Sequence, residues 1–434
     1  MRRAHWRRPG RATAALAALG TAVLAACTGT SSPAPSRPAT ALAGHLTWWD
    51  IATQTGAVAA DTSLAQGFMA AHPGVTVDVQ VLAPQDARTR FDTLAQSASG
   101  APDVITVDNS WIPEWGYRGY LAKLDTTVVA PATQDVFPSL AGVQKWDGRV
   151  VAAARSADPM ALLYNPRLLA RAGVSVPHSW ADIAETRLRL TAKDVETLYA
   201  PSTGDGLLPW IYGAGGTLAD TDAKLITVNQ PAAVAGLTQR LELQATGVVV
   251  DDSSPTATDT MRTLFRNGKV AMILDYADAL PLVVGGPAFP TQRSVGVTWV
   301  PAGPAKSSGP LEGTSYGVYS GLSNLEVAYL FVAYLETPAS QALLAERLGL
   351  LPSRPATYAE PGVRDDPVVT AFKLAVQHGT PLPQVQVQSD LLPPLADALQ
   401  SAAAGNGPPR SVLDDVATTY EKLLPGFSTK PGPN

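Results

Sequence analysis

The chain has 434 residues, 46% of them hydrophobic and 16% charged, the proportions of a globular protein. Five of its 32 Lys+Arg stand among the first eleven residues, and the remainder sets 27 basic side chains against 37 acidic ones, about −10 net. That balance argues against nucleic acid or an anionic membrane surface as the ligand. It leaves a neutral ligand open, and the nine tryptophans and twelve tyrosines supply flat faces suited to sugar rings, which are apolar on their faces and polar at their edges.

Taken in chain order, the leader comes first. Arg2, Arg3, Arg7, Arg8 and Arg11 form a positive n-region, and a small apolar run, Ala12 to Ala26, follows, broken only by Thr13, Gly20 and Thr21. About 15 residues is short of the ~20 that a membrane-spanning helix needs and has the size of a secretory h-region. The run ends Leu24-Ala25-Ala26-Cys27, which resembles the lipobox of bacterial lipoproteins. The resemblance implies that residues 1–26 are a signal peptide and that Cys27 is acylated. Cys27 is the sole cysteine, so no internal disulfide can form. Two or more acyl chains hold a protein stably at a membrane. No twin-arginine motif follows Arg7-Arg8, which favours the general secretory route. Residues 27–44, rich in Ser, Pro, Ala and Thr, read as a tether.

His45 to Asp50 reads as a first strand. Leu64 and Phe68, four apart between Thr62 and Ala71, read as a helix, stopped by His72-Pro73-Gly74. Val75, Val77, Val79 and Val81 alternate with Thr76, Asp78 and Gln80, the period of a half-buried strand. A helix over Gln85–Ser97 leads to a strand over Pro102–Val107. Val150–Ala153 is strand-like, Met160–Tyr164 is another apolar run, and Ser179 to Asp182 is a capping box. Gln230–Ala245 is helical, Val270–Leu274 and Val295–Val297 are strands, and helices open at Ser323 and at Thr337-Pro338. Leu391–Ala403 and Ser411–Leu424 read as the last helices, with a loose tail over 427–434. This βαβα rhythm implies an α/β fold with a mostly parallel sheet.

Several stretches resemble the extracellular solute-binding proteins of the maltose-binding type. They are Phe68 to Val75, Gly100 to Ile105 with Trp111 and Leu124-Asp125, Trp146 to Ala153, Leu163-Tyr164-Asn165, Phe265-x-x-Gly268 to Met272, and Gly349-x-Leu351-Pro352-Ser353-Arg354. Their order and spacing over Leu46 to about Leu424 carry the likeness. One departure is Ala154, where many relatives have proline. The resemblance implies a two-lobed periplasmic-binding-protein-like fold with mixed, mostly parallel sheets and a strand-exchanging hinge. Lobe 1 is expected over 45–153 plus 302–350 and lobe 2 over 154–301 plus 351–426. It further implies a monomeric receptor of an ABC importer that binds a sugar, of trehalose or maltose type, between its lobes and presents it to permease subunits, with no cofactor and no catalysis.

The same resemblance selects the ligand residues. Asp108, with Asn109 beside it, follows a strand end, where open α/β sheets bind ligands. Asp158, in the loop after the crossover strand, matches a second sugar-binding carboxylate, and Tyr276 an aromatic that stacks on the ligand. Gly313 and Tyr316 match a loop that brings backbone amides and an aromatic to the sugar. Arg354 matches a ligand-binding arginine. Trp49, Asp50 and Gln54 lie after the first strand, although Trp48 and Trp49 alternate and one must face the core. Trp210 reads as core.

Rival readings find less support. Gly313-Thr314-Ser315-Tyr316-Gly317 fits the serine-nucleophile expression, but that elbow needs a helix directly after the serine, and Val318-Tyr319-Ser320 continues as strand. A glycosidase would need two carboxylates across a bond, which Asp108 and Asp158 could supply. His45, His72, His178 and His378 lack metal-ligand spacing, and Gly213 to Gly216 is too loose for a phosphate loop. A peptide or other organic solute is the alternative within the receptor class.

Overall fold

The computed structural model describes residues 42–191, 194–250 and 252–429. The expected signal peptide, Cys27 and nearly all of the expected tether lie outside the described residues, as do the last five. In chain order the strands are β1 (Ala43–Asp50), β2 (Gly74–Val81), β3 (Val104–Asp108), β4 (Lys145–Trp146), β5 (Arg149–Val150), β6 (Ala152–Tyr164), β7 (Glu196–Tyr199), β8 (Ala219–Asp220), β9 (Leu225–Ile226), β10 (Val270–Tyr276), β11 (Gly296–Thr298), β12 (Leu311–Val318), β13 (Leu351–Pro352) and β14 (Ser428–Thr429).

Alternation places β2 at an edge: Val75 and Val77 are buried while Thr76, Asp78 and Gln80 face solvent. Strands β3 and β10 are buried almost throughout, as continuous apolar runs in a covered sheet should be. The main order is β2-β1-β3-β12-β6-β10-β7, with β11 and β13 also on β6. Parallel pairing joins β2, β1 and β3, and joins β10 to β7. Every antiparallel pairing in this sheet involves β6 or β12. The fold is thus the expected α/β type with mixed strands, more antiparallel at its centre than a βαβα rhythm alone implies.

Strand β6 joins the two halves. Its first part, Ala152–Pro159, pairs with β12, and its last part, Met160–Tyr164, pairs with β10. Val150–Ala153 and Met160–Tyr164, which read as separate runs, therefore belong to one region of nearly continuous strand. Asp158 lies within that strand and not in a loop. Pro159 cannot donate to a ladder and is tolerated where β6 passes from one partner strand to the next. The ladder slips between Thr314 and Ser315, which face Ser156 and Ala154, so Arg155 is the extra residue of a β-bulge. Ala154 donates its N–H to Gln144 Oε1 at 3.1 Å, a bond that a proline there would lack.

Four apolar clusters fill the layers between strands and helices. Trp48 packs with Phe68, Tyr316 and Phe331, while Trp49 packs with Phe91, Trp111 and Trp115. Trp180 stacks on Trp210 at 3.8 Å in a third cluster. The fourth includes Phe137, Leu140, Ala342 and Ala345 beside Phe265, Phe289 and Phe372, so segments assigned by sequence to lobe 1 contribute to a core shared with lobe 2 residues. Ser428 and Thr429, expected in a loose tail, pair in parallel with Leu225 and Ile226.

Candidate ligand site

Strand register assembles the site. On β6 and β12, Asp158 stands opposite Glu312, and Asp108 at the end of β3 stands opposite Thr314. Strand β10 places Tyr276 opposite Met160, two residues past Asp158. Tyr276 Oη donates to Glu312 Oε1 at 3.1 Å. The N–H of Asp278, just past β10, donates to Asp158 Oδ1 at 3.1 Å. Glu312 and Asp278 are exposed, and Asp108, Asp158 and Tyr276 are half-buried. Solvent therefore reaches a group of polar side chains drawn from both halves of the sheet.

Like charges directly opposite on neighbouring strands destabilise a sheet, and here they meet. The surrounding protein pushes the Glu312 carboxyl up to about 8, and Asp108, Asp205 and Asp278 add to the effect. Burial also raises Asp158 well above the carboxylate range, with Asp278 and Glu312 contributing. Asp278, though exposed as a whole residue, is raised by partial loss of water around its carboxyl and by Asp275, against the opposing Arg262. The Tyr276 hydroxyl is held well above its usual value by burial and by Glu312, Asp205 and Asp158, so it remains a donor. Among the described residues no ion pair reaches Asp108, Asp158, Asp205, Asp278 or Glu312. Clustered perturbed groups of this kind mark functional sites.

The other expected residues have different surroundings. Asp108 caps the turn that follows it: Oδ1 accepts from Ser110 N at 2.8 Å and Ser110 Oγ at 2.6 Å. Asn109 is 6% exposed; its Oδ1 accepts from Ser315 Oγ at 2.7 Å, and its Nδ2 has no partner. Gly313 has φ +142°, and a Cβ there would fall 2.3 Å from Ser156 O, so glycine is needed for close strand approach. Tyr316, expected to reach the ligand, is fully buried, with its ring 6.0 Å from that of Trp48; it offers a ligand no surface. Trp49 is likewise buried, and Arg90 lies over its ring. Both tryptophans of the pair face core, one on each side of the sheet. Arg354 pairs with Asp135 at 2.7 Å and donates to the Glu336 carbonyl. These bonds leave it as a brace between Asp135 and Glu336.

Behind the sheet lies a second charged group. Arg155, 2% exposed, reaches Asp50 at 3.3 Å and Asp61 at 4.0 Å, and its Nε donates to Tyr316 Oη at 3.2 Å. Burial and the neighbouring Asp50 raise Asp61 to about 8, although Arg155 opposes this. The bulge explains the placement, since the extra residue re-aims its side chain.

Sequence reasoning missed Glu312, Asp205, Asp278 and Arg155. Glu312 adjoins a residue that was chosen, Gly313, but only the β6–β12 register shows it facing Asp158. A cavity of about 480 Å³ is lined by Arg88, Ser110, Tyr117, Gln386, Gln388 and Asp390, and Ser110 is the residue bonded to Asp108. A separate surface cavity of about 520 Å³, between Arg171 and Lys269, shares none of these residues. Among the described residues there is no group of three or more side chains suited to a metal ion, and no helix is long and apolar enough to cross a membrane.

Known proteins resemble this chain in sequence and fold. The family described as "Bacterial extracellular solute-binding protein" matches residues 52–342. The GacH receptor of Streptomyces glaucescens, solved unliganded and with acarbose or an acarbose homologue, is 32% identical; the match covers 89% of this chain and all of that one, with a TM-score of 0.76. A cyclic α-maltosyl-1,6-maltose binding protein of Arthrobacter globiformis is 18% identical, covering 88% of this chain and 99% of that one, with a TM-score of 0.78. A maltotriose-binding protein of Pyrococcus abyssi is 22% identical over 346 residues, 74% of this chain and 69% of its own.

Proposed function

The chain belongs to the bacterial extracellular solute-binding proteins, and on that premise we propose that it is the sugar receptor of an ABC importer. It captures its ligand reversibly between two lobes, as a monomer, and delivers it to the permease. Acyl chains on Cys27 hold it to the outer face of the cytoplasmic membrane.

The observation that carries the sugar reading is the meeting of Asp158, Glu312 and Tyr276 where β6 passes between the two halves of the sheet. Carboxyl groups and a tyrosine hydroxyl pair with sugar hydroxyls, and hydrogen bonds to charged groups contribute roughly 1.5–3 kcal/mol each. Micromolar capture totals about −8 kcal/mol, so a few such bonds with one aromatic face suffice. Asp158 and Asp108 accept from ligand hydroxyls, and Tyr276 supplies the apolar face. Hinge closure would bring the halves together, and the ligand drives it by binding the closed form more tightly than the open one. The acarbose and maltotriose named for two relatives support a ligand of two or more sugar units.

Calorimetric titration of a soluble form starting after Cys27 tests this reading. The panel is trehalose, maltose, maltotriose, acarbose, glucose and two short peptides. Saturable binding of a sugar that is recovered unchanged is the expected result. A response to the peptides alone would replace the sugar by another organic solute, and conversion of a sugar would replace capture by hydrolysis.

A further inference from the structure

Resting on the sugar-receptor reading, we propose that Glu312 binds the ligand as a neutral carboxylic acid, with Tyr276 donating to its Oε1 and its own Oε2–H donating to a ligand oxygen.

The geometry gives each carboxyl oxygen a different task. Oε1 is occupied by Tyr276 Oη at 3.1 Å. Oε2 has no partner among the described residues, and the side chain is open to solvent. An ionised carboxylate only accepts hydrogen bonds, whereas the protonated form donates one. A sugar also carries ring and bridging oxygens that only accept. A cleft lined by ionised carboxylates could pair with the hydroxyl protons of such a ligand and leave those oxygens unmet. Glu312 as a neutral acid meets them.

The neighbours of Glu312 favour the proton. From β3 comes Asp108, from β6 Asp158, from the helix Gly204–Gly213 Asp205, and from the turn after β10 Asp278. The tyrosine of β10 is the one donor among them. Arg262 holds Asp275 through two bonds of 2.8 and 2.9 Å, and Arg155 pairs with Asp50, so neither guanidinium is offered to Glu312. With no cation paired to it among the described residues, a proton is what relieves the like charge, and the carboxyl's rise to about 8 agrees.

The sign follows. If only the neutral form donates to the ligand, affinity is full below pH 8 and falls as pH rises through it. The test uses the detergent-solubilised full chain and neutral sugars, which do not titrate: trehalose, maltose and maltotriose. The dissociation constant of the sugar that binds is expected to rise about tenfold between pH 7 and pH 9. Asp61 and Glu336 are also pushed up to about 8, and Asp158 and Asp278 beside Glu312 are raised as well, so Glu312→Gln separates the sources. Its amide donates at every pH, and its dissociation constant should change less than about twofold over that range. A pH-independent constant in the parent overturns the proposal and leaves the sugar reading standing. A slope that survives in Glu312→Gln also overturns it and assigns the proton elsewhere. Silence toward all three sugars at every pH overturns both.

Discussion

Two charged groups share β6 and β12 and differ in what surrounds them. Arg155 and Tyr316 belong to a closed group with Asp50 and Asp61, in which a guanidinium lies between carboxylates and no side chain is exposed. Asp158 and Glu312, a few residues along the same strands, belong to an open group that has carboxylates and a tyrosine but no cation among the described residues. The closed group sets a cation against its carboxyls and is sealed from solvent, so it serves the fold. The open group leaves its charge to be met by protons or by something that arrives, which is what a binding site requires. A raised carboxyl alone does not separate the two, since both contain one held far above its ordinary range.

The largest expected effect breaks the closed group. Removing one member of a buried ion pair costs about 3–5 kcal/mol because its partner is left uncompensated. Arg155→Met should lower stability by that amount in urea unfolding, and adding Asp50→Asn and Asp61→Asn should restore much of it. Sugar affinity of the folded fraction should change far less than stability. An Arg155→Met protein as stable as its parent would remove the contrast between the two groups.

This contrast was only partly legible in the sequence. Strand periods were readable because a half-buried strand such as β2 must alternate and a covered one such as β3 must run apolar. Asp158 and Tyr276 could be named as candidates because they lie near landmarks in the order in which the family resemblance presents them. Glu312 was not, since its role depends on which β6 residue the β12 ladder places opposite it. Tyr316 was assigned to the ligand because an aromatic beside glycine in a binding loop reads the same whether it points outward or inward. The bulge at Arg155 settles which: the guanidinium is turned behind the sheet and meets the tyrosine hydroxyl there. A one-residue slip in a ladder has no signature in composition or spacing.

An intermediate effect sharpens the open group. Asp158→Ala removes a carboxyl that accepts from Asp278 N and, in the proposed function, from the ligand. Hydrogen bonds to charged groups contribute roughly 1.5–3 kcal/mol, so the dissociation constant should rise by about ten- to a hundredfold. Thermal unfolding of the unliganded protein should stay near the parental midpoint or rise slightly, because the variant relieves like charge opposite Glu312. Unchanged affinity would move the ligand away from the β6–β12 pair.

The smallest effect concerns Arg354, which the resemblance assigns to the ligand and the structure places between Asp135 and the Glu336 carbonyl. Its side chain is 13% exposed and that of Asp135 is 45% exposed, so water screens part of the pair. The neighbouring bonds reinforce a structural role: Gln341 Nε2 donates to Glu336 Oε2 at 2.9 Å and to Ser353 Oγ at 2.8 Å, and Ser353 Oγ donates to the Ala154 carbonyl on β6. This network joins the end of β13 to the strand that links the halves. Arg354→Ala should therefore lower stability by about 1 kcal/mol and change affinity less than threefold, as read by urea unfolding and titration on the same preparation. A large loss of affinity with parental stability would show that Arg354 leaves Asp135 when ligand enters, and would return this arginine from the closed, structural side of the comparison to the open one.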